Sequence, residues 1–165
     1  MAAPGPGARA AVLTAEGRGV DGREDGIGAV LPAARPWWGY LWASFNSLVG
    51  LVGAASAGVR PVRWRGVLLF EGGRGGLAWV LRRRGFQAIT LGHVVVTTER
   101  VGDRILAHEL CHVTQHERWG PLFYPAYLLT SLAGYRRNPF EHQAERRAVE
   151  ALARRTGTAR ADGPA

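Results

Sequence analysis

A segment without any charged residue extends from Trp37 to Val59, between Arg35 and Arg60. As a helix it would be about 34 Å long, which is enough to cross a bilayer. Its first residues are rich in aromatic side chains, as at a membrane interface, whereas its serines, its glycines and Asn46 make it only moderately apolar. The pattern leaves two alternatives open: a helix associated with a membrane, and a helix buried in the core.

The next part of the chain shows the pattern of β-strands. Residues 62–70 predict one strand, and the glycine-rich segment 71–76 predicts a turn. Residues 77–81 fit either a second strand or a short helix. The clearest strand is predicted over 88–98, where β-branched residues predominate and Gly92 indicates a bulge.

The remainder of the chain shows the spacing of apolar positions that is typical of amphipathic helices. One helix is predicted over 103–119, ended by a Gly-Pro pair, and a second over 125–135. A third begins after Asn138, a good N-cap residue, with Pro139 at its first position. Glu141, three residues after the cap, fits a capping box.

Strands followed by helices predict a small α+β domain with one apolar helix in front of it. We predict a disordered tail at 1–34, the apolar helix at 35–59, the domain at 60–155 and a second disordered tail at 156–165. The start of the chain lacks a basic stretch followed by an apolar run, so no signal peptide is expected. We therefore expect a cytoplasmic protein, associated with the inner membrane if residues 37–59 bind there.

Composition narrows the functional classes. Of the 165 residues, 47% are hydrophobic and 21% are charged, which excludes a wholly disordered chain. The single cysteine, Cys111, excludes a disulfide framework and a four-cysteine zinc site, and we interpret it as a small buried residue. The net charge is +8, but the arginines occur as scattered pairs and one triple, without a nucleic-acid-binding motif. A nucleic acid is therefore not an expected partner.

His108-Glu109-Leu110-Cys111-His112 forms an H-E-x-x-H motif on the predicted 103–119 helix. Residues four apart lie on one helix face, so both imidazoles can bind one metal ion, which we expect to be Zn²⁺. Glu109 would act as the general base and take a proton from a zinc-bound water. The motif therefore predicts a catalytic metal site.

Two histidines and a water leave one zinc ligand to be found. Gln115 and Arg118 occupy the positions where a metzincin has glycine and its third histidine, which excludes that class. A glutamate from a later helix is the alternative, with Glu141 favoured and Glu145 as the second candidate. Glu141 also suits the capping role, and the two roles compete for one carboxylate. Glu145 lies one turn later and could instead orient one of the two histidines, or pair with a nearby arginine at the surface.

Other polar residues are candidates for supporting roles. Tyr124, Tyr127 and Tyr135 could each donate a hydrogen bond to a tetrahedral oxyanion, while aromatic packing is the ordinary explanation for any one of them. His116 lies too far along the helix to share the metal easily. We interpret it as a residue behind the ligands or on the surface.

Residues 88–148 resemble the gluzincin-type minimal zinc metallopeptidases. The run AITLGHVVV followed by RILAHELCHVTQ is similar to the zincin-like core domain of extracellular contractile injection systems. HERWGPLFYPAYLL and NPFEHQAE resemble small uncharacterised bacterial proteins with the same motif. An E-x-x-A sequence begins at Glu141 and again at Glu145, and it is similar to the third-ligand motif of the ImmA/IrrE metallopeptidases.

This resemblance implies a zincin-like fold, a zinc site formed by His108, His112 and Glu141, and hydrolysis of peptide bonds. It also implies an edge strand that aligns a peptide or protein substrate, and His93 lies in the strand predicted there, although an ordinary packed or exposed strand histidine is the default interpretation. Two alternatives remain: a catalytically inactive zinc-binding interaction module, and a DNA-associated protease of the SprT-like kind.

Overall fold

The computed structural model describes residue 30 and residues 37–161, without the side chains of residues 136 and 155–161. This part of the chain has the mixed α+β architecture that the pattern predicts. In chain order its elements are α1 (Trp37–Ala55), β1 (Val62–Trp64), β2 (Val67–Phe70), α2 (Gly76–Arg83), β3 (Ala88–Leu91), β4 (Val94–Thr97), α3 (Asp103–Trp119), α4 (Phe123–Ser131) and α5 (Pro139–Ala161). The 3₁₀ turns Gly120–Leu122 and Tyr135–Arg137 flank α4.

Helix boundaries follow the local signals in the sequence only in part, since α4 ends at Ser131 rather than at 135 and α1 ends at Ala55 rather than at 59. Helix α3 begins and ends as predicted, and α2 forms where the sequence allowed either a strand or a helix. Helix α5 continues to Ala161, so it includes the first residues of the tail predicted at 156–165. The rest of that tail, and the tail predicted at 1–34 apart from residue 30, lie outside the described residues.

The four strands form one mixed sheet in the order β1-β2-β4-β3. Strands β1 and β2 are antiparallel, β2 and β4 are parallel, and β4 and β3 are antiparallel. Helix α2 and strand β3 lie between the two parallel strands in sequence. This order leaves β3 at one edge of the sheet, beside the helix that carries the H-E-x-x-H motif.

Each of the two long strands predicted from the sequence is a hairpin in the structure. The 62–70 strand is interrupted at Arg65 and Gly66, which both have positive φ, of 47° and 78°, as in a type I′ turn. The 88–98 strand is interrupted at Gly92, whose φ is 65°. The predicted bulge at Gly92 is therefore wrong, because this glycine forms the turn between β3 and β4.

Both faces of the sheet are covered, so its strands are apolar on both sides. Val67, Leu69 and Val95 pack with α3 and α5 in one cluster. Phe70, Val94 and Val96 face the opposite way and pack with the end of α1 and with α2. This arrangement explains the unbroken apolar run of β4 and holds α3 firmly against the sheet.

Helix α1 packs against the rest of the protein through small residues. Gly39, Ala43, Asn46, Gly50 and Ala54 are its buried positions. A Cβ atom on Gly50 would lie 2.7 Å from the Leu91 carbonyl oxygen, so only glycine allows this close approach of α1 to β3. The opposite side of α1 is exposed, so this helix is not buried in the core on all sides. No helix among the described residues is long and apolar enough to cross a membrane.

Candidate metal centre

The two histidines of the motif face one point in the structure. His108 and His112 lie one turn apart on α3, and their Nε2 atoms are 3.1 Å apart. His112 is buried, and His108 is partly exposed. The helix spacing thus produces the paired imidazoles that the sequence predicts.

Glu141, in the first turn of α5, completes the group. Its Oε2 lies 3.2 Å from His108 Nε2, and its Oε1 lies 3.4 Å from His112 Nε2. Two ligands that are each 2.0–2.1 Å from a tetrahedral zinc ion are about 3.3 Å apart. The three side chains therefore have the spacing of a zinc site, and they form the candidate metal-binding group among the described residues.

The hydrogen bonds of Asn138 show that Glu141 does not take the capping-box role. The Asn138 side-chain oxygen accepts the Phe140 N–H at 2.9 Å, which confirms Asn138 as the N-cap. The Asn138 N–H donates to the Tyr135 carbonyl at 3.1 Å rather than to a glutamate. Glu141 Oε2 is buried and accepts no well-formed hydrogen bond from the described residues, so it fits a cation.

Two tyrosines neighbour Glu141. Tyr127 donates a hydrogen bond to Glu141 Oε1 at 2.6 Å. Burial would raise the pKa of Glu141, but the adjacent imidazoles of His108 and His112 and the neighbouring tyrosine hydroxyls hold that pKa well below its usual range. Burial and the Glu141 carboxylate raise the pKa of Tyr127 and of Tyr135, so both hydroxyls keep their protons. Tyr135 is half exposed at the mouth of the site, whereas the hydroxyl of Tyr124 is buried without a partner among the described residues.

Glu109 is held by a contact that the sequence did not predict. The Thr90 hydroxyl lies 2.6 Å from Glu109 Oε2, to which it donates, and 3.2 Å from the Glu109 carbonyl oxygen. Thr90 lies on the edge strand β3, so the strand fixes the predicted general base beside the two histidines. No local pattern distinguishes Thr90 from other strand threonines, and sequence reasoning had no signal for this role.

A second unpredicted residue, Gln115, orients His112. His112 Nδ1 donates to Gln115 Oε1 at 2.7 Å, which leaves Nε2 free to bind a metal. The Gln115 amide nitrogen donates to the Phe140 carbonyl at 3.0 Å and to Gln143 Oε1 at 2.9 Å. Gln115 therefore links α3 to the start of α5, where Glu141 lies.

Glu145 lies behind His108, away from the other ligand atoms. Its Oε2 is 3.7 Å from His108 Nδ1, and its carboxylate forms an ion pair with Arg104. The structure thus brings Glu141, rather than Glu145, to the Nε2 atoms of both histidines. The ion pair with Arg104 is the surface pairing that the sequence also allowed for Glu145, and the distance to His108 Nδ1 is longer than a hydrogen bond.

His93 and Cys111 are both outside the site. His93 lies in the β3–β4 turn and not in a strand, which corrects the position predicted for it. Its ring is buried, stacks on Tyr40 and has Nε2 2.8 Å from Glu117 Oε1. Cys111 is fully buried, as predicted, and burial raises the pKa of its thiol.

His116 is fully buried, which excludes the surface position among its predicted alternatives. Its Nδ1 accepts a hydrogen bond from the Asn46 amide at 2.9 Å, and its Nε2 donates to the Thr90 carbonyl at 3.3 Å. Burial lowers the pKa of His116 to about 3, so the ring is neutral at physiological pH. His116 and Asn46 therefore connect α1 to the strand residue that holds Glu109.

We expect His116 to make folding stability depend on pH. Its pKa is about 3 in the folded protein and about 6.5 in an unfolded chain. The unfolded state therefore gains protons first as pH falls, and the folded state should lose about 2 kcal/mol between pH 7 and pH 5. His116→Gln keeps a donor for Thr90 but cannot titrate, so urea unfolding with chelator present should show a smaller loss.

The matched control is His142→Gln, because His142 is an exposed histidine on α5. This variant should retain the wild-type pH dependence. Equal pH dependence in wild type and His116→Gln would contradict a buried neutral His116.

A cleft of about 410 Å³ lies at the site and includes the side chains of His108, Glu109, His112 and Glu141. Its other walls are largely apolar and come from α2, β3, α4 and the segment after α2. The cleft is therefore polar where the side chains of the metal centre line it, and a ligand would contact largely apolar walls elsewhere.

No family model, curated protein or solved structure matches this chain. The chemistry of the site is therefore inferred from its own residues. These comprise two histidines and a glutamate at metal-binding spacing, a second glutamate held beside them, and two tyrosine hydroxyls.

Proposed function

We propose that this protein is a zinc-dependent metallopeptidase of the gluzincin type with a zincin-like arrangement. The observation that carries the proposal is the spacing of 3.1–3.4 Å among the Nε2 atoms of His108 and His112 and the Glu141 oxygens. Nitrogen and oxygen ligands of this kind suit zinc. Three protein ligands leave a fourth position for water or substrate, which is typical of catalytic rather than structural zinc sites.

Different side chains of the cleft would have different roles in hydrolysis. A bound zinc ion would polarise the peptide carbonyl and lower the pKa of water toward neutrality. Glu109, held by Thr90, takes a proton from the attacking water and passes it to the leaving amine. The Tyr135 hydroxyl, which keeps its proton and lines the cleft, donates to the oxygen that becomes negatively charged.

The substrate class follows from the edge strand. In the part of the chain that the structure describes, strand β3 pairs with β4 alone, and its residues Ala88, Ile89 and Thr90 line the cleft. An extended peptide can pair with such an edge and present its carbonyl to the metal centre. The apolar walls favour a peptide with apolar side chains, as in an unfolded protein.

The test is hydrolysis of an unfolded, fluorescently labelled protein by the full chain loaded with zinc. We expect cleavage that a chelator abolishes and that added zinc restores. Product mass spectrometry would show whether the bonds broken are peptide bonds. Zinc binding without cleavage of any unfolded substrate would contradict the peptidase and favour a zinc-binding interaction module.

A further inference from the structure

In an ordinary surface helix, large apolar residues face the core. In α1 the small residues face the core, and the large apolar residues face outward. Its buried positions are the small residues and Asn46 described above. The opposite side carries large side chains that are 51–76% exposed, here called the outer stripe: Trp37, Trp38, Leu41, Phe45, Leu48 and Val52. A contiguous apolar patch of this kind marks an interaction surface.

The packing of α1 fixes the direction in which the outer stripe faces. Asn46 bonds His116 and also donates to the Gly120 carbonyl at 3.1 Å, and Gly50 lies against Leu91. These contacts hold the helix along its length on α3 and β3. The outer stripe therefore runs parallel to the protein surface, and a partner must meet it from the side.

The part of the chain from the start of α1 to the end of β2 is cationic. Residues 37–70 contain no Asp or Glu, and the arginines that follow α1 are exposed at Arg60, Arg63 and Arg65. Among the described residues, the exposed acidic side chains all lie later in the chain, as at Glu99 and Glu150. This charge distribution complements an anionic surface.

The outer stripe also lacks the polar groups that a protein partner would use. Apart from the indole N–H of its two tryptophans, it has no hydrogen-bonding side chain, whereas protein interfaces contain about one hydrogen bond per 100–200 Å². The nearby Ser44 hydroxyl donates within the helix, to the Tyr40 carbonyl at 2.7 Å. Tryptophan, phenylalanine and leucine on one helix face, followed by arginines in the chain, are typical of helices that lie in a lipid interface.

We propose that the outer stripe of α1 docks this protein on an anionic lipid surface, with the helix axis in the plane of the interface. Tryptophans and aliphatic side chains enter the boundary between headgroups and acyl chains, and the arginines contact the headgroups. This docking does not depend on the proposed peptidase activity. Because α1 also holds His116 through Asn46, the docked helix is directly connected to the strand that positions Glu109.

The test is sedimentation of the full chain with vesicles of phosphatidylglycerol and phosphatidylcholine, and with phosphatidylcholine alone. We expect binding to the anionic vesicles that weakens with added salt. The double variant Phe45→Glu, Leu48→Glu should bind at least about tenfold more weakly, because it places two charges in the interface. The matched control is Val149→Glu, a charge on an exposed valine of α5, which should bind as wild type does.

Circular dichroism would establish that the variants are folded, and Leu41→Gln, Val52→Gln provides a milder second pair with the same expected direction. No sedimentation with anionic vesicles would overturn the proposal. So would binding that is unchanged in both double variants. A dimer in sedimentation velocity that dissociates in the double variants, without vesicle binding, would assign the outer stripe to a second copy of the chain instead.

Discussion

Glu109→Gln is expected to lower kcat for peptide hydrolysis by about 10²–10⁴-fold, the usual contribution of a general base. Glutamine has the shape of glutamate and can still accept the Thr90 hydrogen bond, but it cannot take a proton from water. None of the three candidate ligands is changed, so zinc content should stay at the wild-type level. Steady-state kinetics and elemental analysis on the same preparation would measure both quantities.

Glu117→Gln is the matched control for this variant. Glu117 is also a buried glutamate on α3, but its carboxylate contacts His93 and not the cleft. This variant should keep the wild-type rate. A wild-type rate in Glu109→Gln would show that Glu109 is not the base.

Glu141→Ala should weaken zinc binding far more than Glu145→Ala. The first variant removes a carboxylate that lies within 3.4 Å of both histidine Nε2 atoms. The second removes only a group behind His108 Nδ1, and such supporting residues typically contribute 10–100-fold to metal affinity. We therefore expect a loss above about 100-fold for Glu141→Ala and a smaller loss for Glu145→Ala. Competition with a chromophoric chelator at pH 7 would measure both affinities.

The opposite ranking would move the third ligand one turn along α5. Glu141 would then serve only as a partner of the histidines and Tyr127. Activity should follow zinc affinity in both variants when zinc is limiting. At saturating zinc, Glu145→Ala should recover activity and Glu141→Ala should not.

The parts of the site that the sequence predicted are those set by short-range structure. His108, Glu109 and His112 are fixed by one helix, and the spacing of apolar residues predicts that helix. The start of α5 is likewise marked by Asn138 and Pro139, which place Glu141 in the first turn. Local signals were sufficient here because each depends on neighbours within about one turn.

The supporting contacts could not be predicted, because they join residues far apart in the chain. Thr90 reaches Glu109 across 19 positions, and Asn46 reaches His116 across 70. Nothing in a strand threonine or an apolar-helix asparagine identifies its partner before the elements pack. The β3–β4 hairpin was not predicted for a different reason. Glycine at position 92 suits a turn as well as a bulge, and only the pairing of β3 with β4 shows that it forms a turn.

Helix α1 carried a signal that the sequence analysis did not use. Its small residues and Asn46 recur every three or four positions, and its large residues recur with the same period on the opposite side. A search for charged residues treats glycine, alanine and leucine alike along such a segment. Residue size, rather than hydrophobicity, separates the packed side of α1 from its exposed side.

The most direct test of the central claim is a crystal structure of the zinc-loaded protein with anomalous diffraction measured on both sides of the zinc absorption edge. We expect one strong zinc peak bonded to the Nε2 atoms of His108 and His112 and to a Glu141 carboxylate oxygen, at about 2.0–2.2 Å. A zinc peak at another position, or none at this cleft in crystals that contain zinc, would contradict the assignment of these residues as a metal centre.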